Sequence, residues 1–447
     1  KLKILHYSLG FPPYARGGLT KYAIDIAAEQ VRQGHDVGML WPGRVLNGSS
    51  IKIKQGKAFQ GIKSFELENP EYLPQIYGIR DFDGFQKNVD TKVYEEFLNR
   101  EKPDVIHIHT LMGMHIGFLE TANKLKIKTV YTTHDFFGIC PKTTLFFNNE
   151  ICEKNFECKG CYTCCENALS IKKMKLLQSP VYRNIKNTKI LGVLRKYKKN
   201  KIFVNESGLK ELQKEDKIYS ENYRKLREGY IRYFEKIFTI HFNSTYMRDV
   251  FRNYINVDKG IVCNITHGEI KDNKKKYTKT IENNVVKISY LGPIAEYKGF
   301  YVLKEALNQL YQEGIRNFQL TVYNGGENMA PYINNKPSFK YEELDKVMNE
   351  ADLVVALRDV SYGFTVLEAL SYGVPVMVTD KVGAKDLVCP DKTGTICDYD
   401  IEKIKTELKE LLNHPEKIEK MKNNVLNMFE VPLIERHVQD IINGIYR

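Results

Sequence analysis

A chain of 447 residues is too long for a single hydrophobic core and reads as two or three domains. An apolar fraction of 43% sets aside disordered and fibrous classes, and no apolar run is long enough to cross a bilayer. The formal charge of +12 is concentrated, with eleven Lys or Arg residues and no Asp or Glu between Lys172 and Lys201.

The first element, Leu2–Ser8, reads as a short buried strand rather than a secretory signal, which places the chain in the cytoplasm. The turn Arg16-Gly17-Gly18 follows. A helix comes next, with Leu19, Tyr22, Ala23, Ile26, Ala27 and Val31 on one face and Gly34 at its C-terminal cap. Further strands are expected at Val37–Trp41, Asp104–His109, Ile127–Thr133, Lys236–Ile240 and Ile261–Ile265, with a helix from Ser244. Strands alternating with amphipathic helices predict a parallel sheet with crossover helices. Residues 271–285 are polar and aperiodic, as in a linker. The pattern then restarts with strands at Val286–Leu291, Phe318–Tyr323, Leu353–Leu357 and Pro375–Thr379, and helices from Gly299 and near Thr365–Tyr372. Helical sequence runs from about Ile401 onward. The expected organisation is a first domain over 1–270, a linker over 271–285, a second domain over 286–425, and a closing helix over 426–447 that packs back on the first domain. A Cys-rich, basic insertion occupies about 140–230 of the first domain. No short-period repeat is present, which sets aside a solenoid.

Six of the nine cysteines crowd that insertion: Cys140, Cys152, Cys158, Cys161, Cys164 and Cys165. In a large cytosolic chain such a cluster points to metal rather than disulfides. Cys140, Cys152, Cys158 and Cys161 supply four thiolates for a structural zinc; the alternative is free thiols that simply pack. The basic stretch 172–201 has two readings. Its interspersed apolar residues suit a helix leaning on anionic lipid, and equally the solvated face of an ordinary helix. Nucleic acid is not expected as a partner, because no zinc-finger pattern, RNP-type strand or recognition helix is present.

Three segments carry chemistry. Gly17-Gly18 lets backbone approach a phosphate at a helix N-terminus. No GxGxxG and no P-loop exists, which removes the main support for a dehydrogenase or a P-loop enzyme. In Tyr290-Leu291-Gly292-Pro293-Ile294-Ala295-Glu296-Tyr297-Lys298-Gly299, Lys298 stands at a helix start, where its charge suits a diphosphate; otherwise it merely flanks the helix. In the segment from Tyr362-Gly363-Phe364-Thr365 to Gly373-Val374-Pro375-Val376, a glycine turn leads into a helix carrying Glu368. That carboxylate can accept from two ribose hydroxyls, or it can simply stabilise the helix.

Together, Glu368-Ala369, Gly373-x-Pro375-Val376, Lys298-Gly299 and Gly17-Gly18 resemble glycosyltransferase family 4, a retaining family with the GT-B fold found in bacterial surface polysaccharide and glycoconjugate biosynthesis. Asp104-Val105-Ile106-His107-Ile108-His109, Thr133-His134-Asp135 and Gly383-Ala384-Lys385-Asp386-Leu387-Val388 extend the resemblance over both domains. It implies an α/β fold of two Rossmann-like doubly wound domains facing across a cleft. It implies a UDP- or GDP-sugar donor bound mainly by the second domain and a glycan or lipid-linked acceptor on the first. Gly17, Gly18 and Lys298 would hold the diphosphate, Glu368 the ribose, and His134 would face the sugar. Gly292, Arg358, Asp359, Tyr362, Gly363, Phe364 and Thr365 complete the implied donor site. His134, Lys298 and Glu368 would be the catalytic residues. His134 has a second reading, as a satisfied structural histidine.

No catalytic metal is expected, and the triplets Asp81-Phe82-Asp83 and Asp398-Tyr399-Asp400 are discounted because neither follows a clear core strand. At two positions the chain departs from the family. Val360 stands where a second glutamate is usual, with Asp359 and Arg358 beside it, and Pro293 stands where an arginine is usual. A catalytically degenerate partner subunit, a glycan-binding protein and a sugar-nucleotide epimerase are the rival readings. The resemblance and the basic stretch place the enzyme on the inner face of the plasma membrane.

Overall fold

Short, mostly apolar runs of three to eight residues, closed by glycine turns or polar residues, build two mainly parallel sheets. The computed structural model describes residues 1–13, 15, 17–152, 157–185, 209–274, 280–326 and 329–447. It divides into two compact units. The first comprises residues 1–243, 247–263 and 434–447, and the second 244–246 and 264–433.

In the first unit the strands are β1 (Lys3–Tyr7), β2 (Asp36–Pro42), β3 (Lys52–Phe59), β4 (Ile62–Glu68), β5 (Val105–Ile108) and β6 (Lys128–Thr132). A separate two-stranded ladder of β7 (Phe146–Phe147) and β8 (Glu150–Ile151) follows, then β9 (Thr239–Phe242) and β10 (Gly260–Val262). The main sheet has the order β10-β9-β6-β5-β1-β2-β4-β3. All its pairs are parallel except the hairpin of β3 and β4. β3 lies at the edge and is largely exposed, with Lys52, Lys54 and Lys57 along it. Such an edge strand is protected from further pairing by its charges.

The helix Gly18–Arg32 buries Tyr22, Ala23, Ile26 and Ala27, and begins at Gly17, whose φ of 116° no L-residue adopts easily. Another helix, Ile434–Gly444, belongs to this unit although it is distant in sequence. Tyr22 Oη lies 2.9 Å from His437 Nε2, and Gln30 Nε2 donates to the Tyr446 hydroxyl at 3.0 Å.

The second unit holds β11 (Val286–Tyr290), β12 (Phe318–Val322), β13 (Ile333–Asn335), β14 (Leu353–Ala356), β15 (Val376–Thr379) and β16 (Gly394–Cys397). Their order is β13-β12-β11-β14-β15-β16, all parallel. Val286, Ile288, Leu303, Leu307, Leu320 and Met377 are buried in one apolar core around this sheet. The direction of strand order reverses between β11 and β14, the place where an open α/β sheet leaves a crevice for ligand.

Three of the segments that differ from the sequence expectation bear on the organisation of the chain. The strand expected at Lys236–Ile240 starts at Thr239, because the helix Lys214–Glu235 runs on to a cap at Lys236. The described ends of the polar stretch 271–285 are tied to the second unit: Asn273 N–H donates to the Ser371 carbonyl at 2.9 Å, and Ile281 N–H to Glu419 Oε1 at 3.0 Å. The chain passes between units at 263–264 instead. The helix expected at 426–447 is two helices, Pro415–Met428 in the second unit and Ile434–Gly444 in the first. Pro432, which has no N–H to give, lies in the break. Among the described residues no helix is long and apolar enough to cross a membrane.

Candidate functional site

At the carboxyl ends of β11 and β14, glycines bring two loops together. Gly299 has φ 80°, and a Cβ there would stand 2.9 Å from Leu357 Cβ, so only glycine lets this turn press on the end of β14. The turn carries Lys298, whose Nζ lies 2.9 Å from Asp359 Oδ2. Asp359 Oδ1 accepts from Ser361 N–H at 2.9 Å. Arg358 is buried, and its Nη1 donates to the Tyr297 carbonyl at 2.7 Å. Arg358 and Asp359 therefore both fix the loop that presents Lys298.

Gly363, with φ 93°, starts the helix Phe364–Ser371, and no side chain caps that N-terminus. A Cβ on Gly363 would lie 2.9 Å from Val382 Cγ1 and 3.8 Å from Asp359 Cβ, which places the helix start beside the Lys298–Asp359 pair. Glu368 stands in the second turn, and its Oε1 is 3.1 Å from His267 Nε2. His267 is buried, edge-on to Phe364 with ring centroids 5.0 Å apart. Tyr362 is buried and donates to Asn264 Oδ1 at 3.0 Å, while Thr365 is half-buried in the first helical turn. Near Gly292 the Tyr290 hydroxyl donates to the Pro293 carbonyl at 2.8 Å, which holds the chain after β11 in a tight turn. Val360 is half-buried and offers no acceptor, and both oxygens of the neighbouring Asp359 are engaged.

In the first unit Gly17 opens its helix with nothing within 4 Å of a notional Cβ, so the glycine is required by its dihedral and not by crowding. Gly18 follows as the first helical residue. His134 lies just past β6, where burial pushes its pKa down to about 3 and keeps the ring neutral. Its Nε2 is 3.2 Å from His109 Nδ1, and its buried Nδ1 has no hydrogen-bond partner. Burial acts on the next residue, Asp135, in the other direction, raising its carboxyl to about 6.

His6, His107 and His109 bring one nitrogen each within 4.8 Å of one another, close enough to suggest a metal. All six of their ring nitrogens already carry hydrogen bonds. His6 meets His109 at 2.9 Å and Gln30 Oε1 at 2.7 Å; His107 meets Tyr446 and Thr132, both at 2.6 Å; His109 meets His134. The trio is part of a hydrogen-bonded network.

None of the six clustered cysteines is in a disulfide. Cys158 and Cys161 hydrogen-bond each other, which pulls the Cys158 thiol down and pushes the Cys161 thiol up. Among the described residues, no three cysteine sulfurs lie within 4.8 Å of one another. Asp400, from the second discounted triplet, caps the helix Ile401–Asn413 through Glu402 N–H and Lys403 N–H. Of the basic stretch 172–201, residues 186–201 lie outside the described residues. The helices Ile171–Leu177 and Pro180–Ile185 expose Leu176 and Val181.

The sequence reading missed His267, which holds Glu368, and Gln30 and His6, which lie behind His134. The signal for His6 was faint: it faces His107 across β1 and β5, and His107 and His109 share one face of their strand.

Two parallel, doubly wound sheets, with glycine turns feeding helix N-termini beside a lysine, are the architecture of a nucleotide-binding α/β protein. A family model described as Glycosyltransferase Family 4 matches residues 16–151, and one described as Glycosyl transferases group 1 matches residues 271–428. The chain belongs to glycosyltransferase family 4: it is a glycosyltransferase of GT-B fold. Among solved structures it resembles sucrose-phosphate synthase from Thermosynechococcus elongatus, at 11% identity over 99% of this chain and 98% of that one, with a TM-score of 0.56. It resembles Anabaena Alr3699/HepE in complex with UDP and glucose, at 13% identity over 99% of each chain, with a TM-score of 0.54. A trehalose-6-phosphate structure from E. coli bound with UDP-2-fluoro glucose matches at 13% identity over 100% of this chain and 99% of that one, with a TM-score of 0.56. No curated protein matches in sequence.

Proposed function

We propose that the protein transfers a sugar, with retention, from a UDP- or GDP-sugar to a glycan or lipid-linked acceptor in cell-surface polysaccharide or glycoconjugate assembly. The observation that carries this reading is the pairing of the Lys298–Asp359 turn with the Gly363 helix that bears Glu368. Lys298 and the uncapped helix start offer positive charge and N–H groups to a diphosphate. Glu368, held by His267, offers acceptors to ribose hydroxyls. In the transfer, the bond from the anomeric carbon to the diphosphate oxygen breaks and its electron pair leaves with the diphosphate. The acceptor oxygen bonds that carbon from the same face, and its proton passes to the departing phosphate oxygen. The protein's share is positioning and charge stabilisation. Similar structures in complex with UDP, UDP-glucose and UDP-2-fluoro glucose favour a uridine donor.

The test is a thermal-shift panel of UDP, GDP, ADP and their sugar conjugates without added metal. Nucleotide at a hundredfold its Kd adds about 2.7 kcal/mol to stability, a shift of several degrees. A selective rise is expected. No rise with any nucleotide would overturn the reading in favour of the non-catalytic partner, for which Val360 and Pro293 are the supporting observations.

Two further parts of the reading have their own tests. Exposed Leu176 and Val181 beside exposed Lys172, Lys173 and Lys175 support docking of the basic stretch on anionic lipid, in keeping with a cytoplasmic, inner-leaflet enzyme. Charge reversal there is expected to abolish binding to anionic liposomes, and unchanged binding would remove the claim. Among the described residues Cys140 and Cys152 do not converge with the Cys158–Cys161 pair into a four-sulfur site, so that pair alone, offering two thiolates, supports the structural-zinc reading. Elemental analysis of chelator-free protein showing no metal would sink it.

A further inference from the structure

Nine polar groups of the first unit, drawn from five strands and the residues just past them, the first helix and the segment after Gly444, form one continuous line. At one end is the Cys263 carbonyl, 2.6 Å from His241 Nε2. His241 Nδ1 is 2.8 Å from Thr132 Oγ1, and Thr132 Oγ1 is 2.6 Å from His107 Nε2. His107 Nδ1 is 2.6 Å from the Tyr446 hydroxyl, which is 3.0 Å from Gln30 Nε2. Gln30 Oε1 is 2.7 Å from His6 Nε2, His6 Nδ1 is 2.9 Å from His109 Nε2, and His109 Nδ1 is 3.2 Å from His134 Nε2. His134 Nδ1 is the other end, buried and unpartnered.

A carbonyl can only accept, so the Cys263 end sets the direction of every bond. His241 Nε2 must carry its proton, and the neutral ring then has a lone pair on Nδ1. That lone pair takes the Thr132 hydroxyl proton, and Thr132 in turn accepts from His107 Nε2. His107 Nδ1 accepts from Tyr446, and Tyr446 accepts from the Gln30 amide nitrogen. The amide oxygen of Gln30 therefore faces His6 and accepts from its Nε2. By the same step His109 Nε2 donates to His6, and His134 Nε2 donates to His109. The proton of His134 is committed inward and a lone pair is left on Nδ1. Burial keeps the five histidines neutral, as this scheme requires. Aligned bonds polarise one another, so reversing one ring would unpair its neighbours. A backbone carbonyl cannot take up a proton, so the line orients His134 and does not drain protons from it.

We propose that Gln30, His6 and His109 are positioning residues that hold His134 as a hydrogen-bond acceptor for a hydroxyl of a bound sugar. This rests on the reading above that His134 faces the sugar. It adds that His134 receives a hydroxyl proton rather than donating one, with its tautomer set from a carbonyl far away in the unit.

The experiment is nitrogen-15 NMR of the histidine side chains in the full-length protein, with the His134 signal assigned by its loss in His134→Gln. In the free protein His134 Nδ1 is expected at the shift of an unprotonated ring nitrogen. A protonated or averaged Nδ1 overturns the proposal whether or not any sugar binds. Gln30→Leu, which removes the acceptor for His6, is expected to move Nδ1 toward the protonated value, while Gln30→Glu, which keeps one, leaves it in place. An unchanged Nδ1 in Gln30→Leu overturns the role of Gln30. UDP-glucose, and not UDP, is expected to shift Nδ1 as a hydroxyl bonds to it. Binding seen by thermal shift with Nδ1 unmoved overturns the sugar contact. Absence of any thermal shift counts against the functional reading alone, and the tautomer of the free protein still decides the rest.

Discussion

Glu368 is positioned by buried His267, at 3.1 Å, and by a hydrogen bond with the Tyr341 hydroxyl. Removing a charged acceptor costs about 1.5–3 kcal/mol per hydrogen bond, so Glu368→Ala is expected to weaken nucleotide binding about ten- to a hundredfold. Glu368→Gln keeps one acceptor oxygen and loses less. Calorimetric titration with the nucleotide selected by thermal shift checks this, and equal affinities in all three proteins would remove the ribose role. At this scale the residues were readable where the backbone advertises them: glycines at 17, 299 and 363 mark turns whose φ angles of 116°, 80° and 93° require them. His267 carried no such mark. Its function arises from the fold bringing residue 267 to residue 368, and nothing in the local pattern around it encodes that distance.

The helix Phe364–Ser371 is an element whose start depends on one residue. Gly363→Ala is strained in its dihedral, at about 1–2 kcal/mol, and its Cβ also meets Val382 Cγ1 at 2.9 Å. It is expected to lower the melting point by a few degrees and weaken nucleotide binding, since the helix start shifts with it. Adding Val382→Ala relieves the contact and not the dihedral, so recovery is expected to be partial. Full recovery in calorimetry would show that crowding alone matters there. Elements with a clean apolar period, such as β1, β5 and the helix Gly18–Arg32, were legible from sequence. The hairpin of β3 and β4 was not, because the exposed edge sequence Lys-Ile-Lys-Gln-Gly-Lys-Ala-Phe in β3 has too few buried positions to show alternation. The histidine line was legible only as His-x-His in β5 and just beyond and as His134 past β6, since its other members come from separate strands, the first helix and the C-terminal segment.

For the whole molecule, the distribution of buried histidines has a thermodynamic result. His6, His107, His109, His115, His134, His241 and His437 all lie in the first unit, and burial lowers the pKa of each. A group whose pKa is depressed on folding stabilises above its unfolded value and loses that contribution as pH falls. Stability of this unit is therefore expected to drop steeply as pH falls from about 6.5 toward 4. Glu71 and Asp135, raised by burial to about 7 and about 6, oppose the trend but are outnumbered. Trp41, the single tryptophan, lies in β2 of the same unit and reports on it alone. A urea midpoint by tryptophan fluorescence that stays flat between pH 7 and 5 would contradict this. The same unit is interrupted in sequence by the second and is completed by residues 434–447, which contribute Tyr446 to its interior. On the ribosome those residues emerge last of the elements described. The second unit, contiguous but for three residues, can fold while the first still waits for its closing helix. During that interval the part of the Gly18–Arg32 helix that meets the closing segment, including Tyr22 and Gln30, has no cover, and a nascent chain in this state is a natural client for a chaperone.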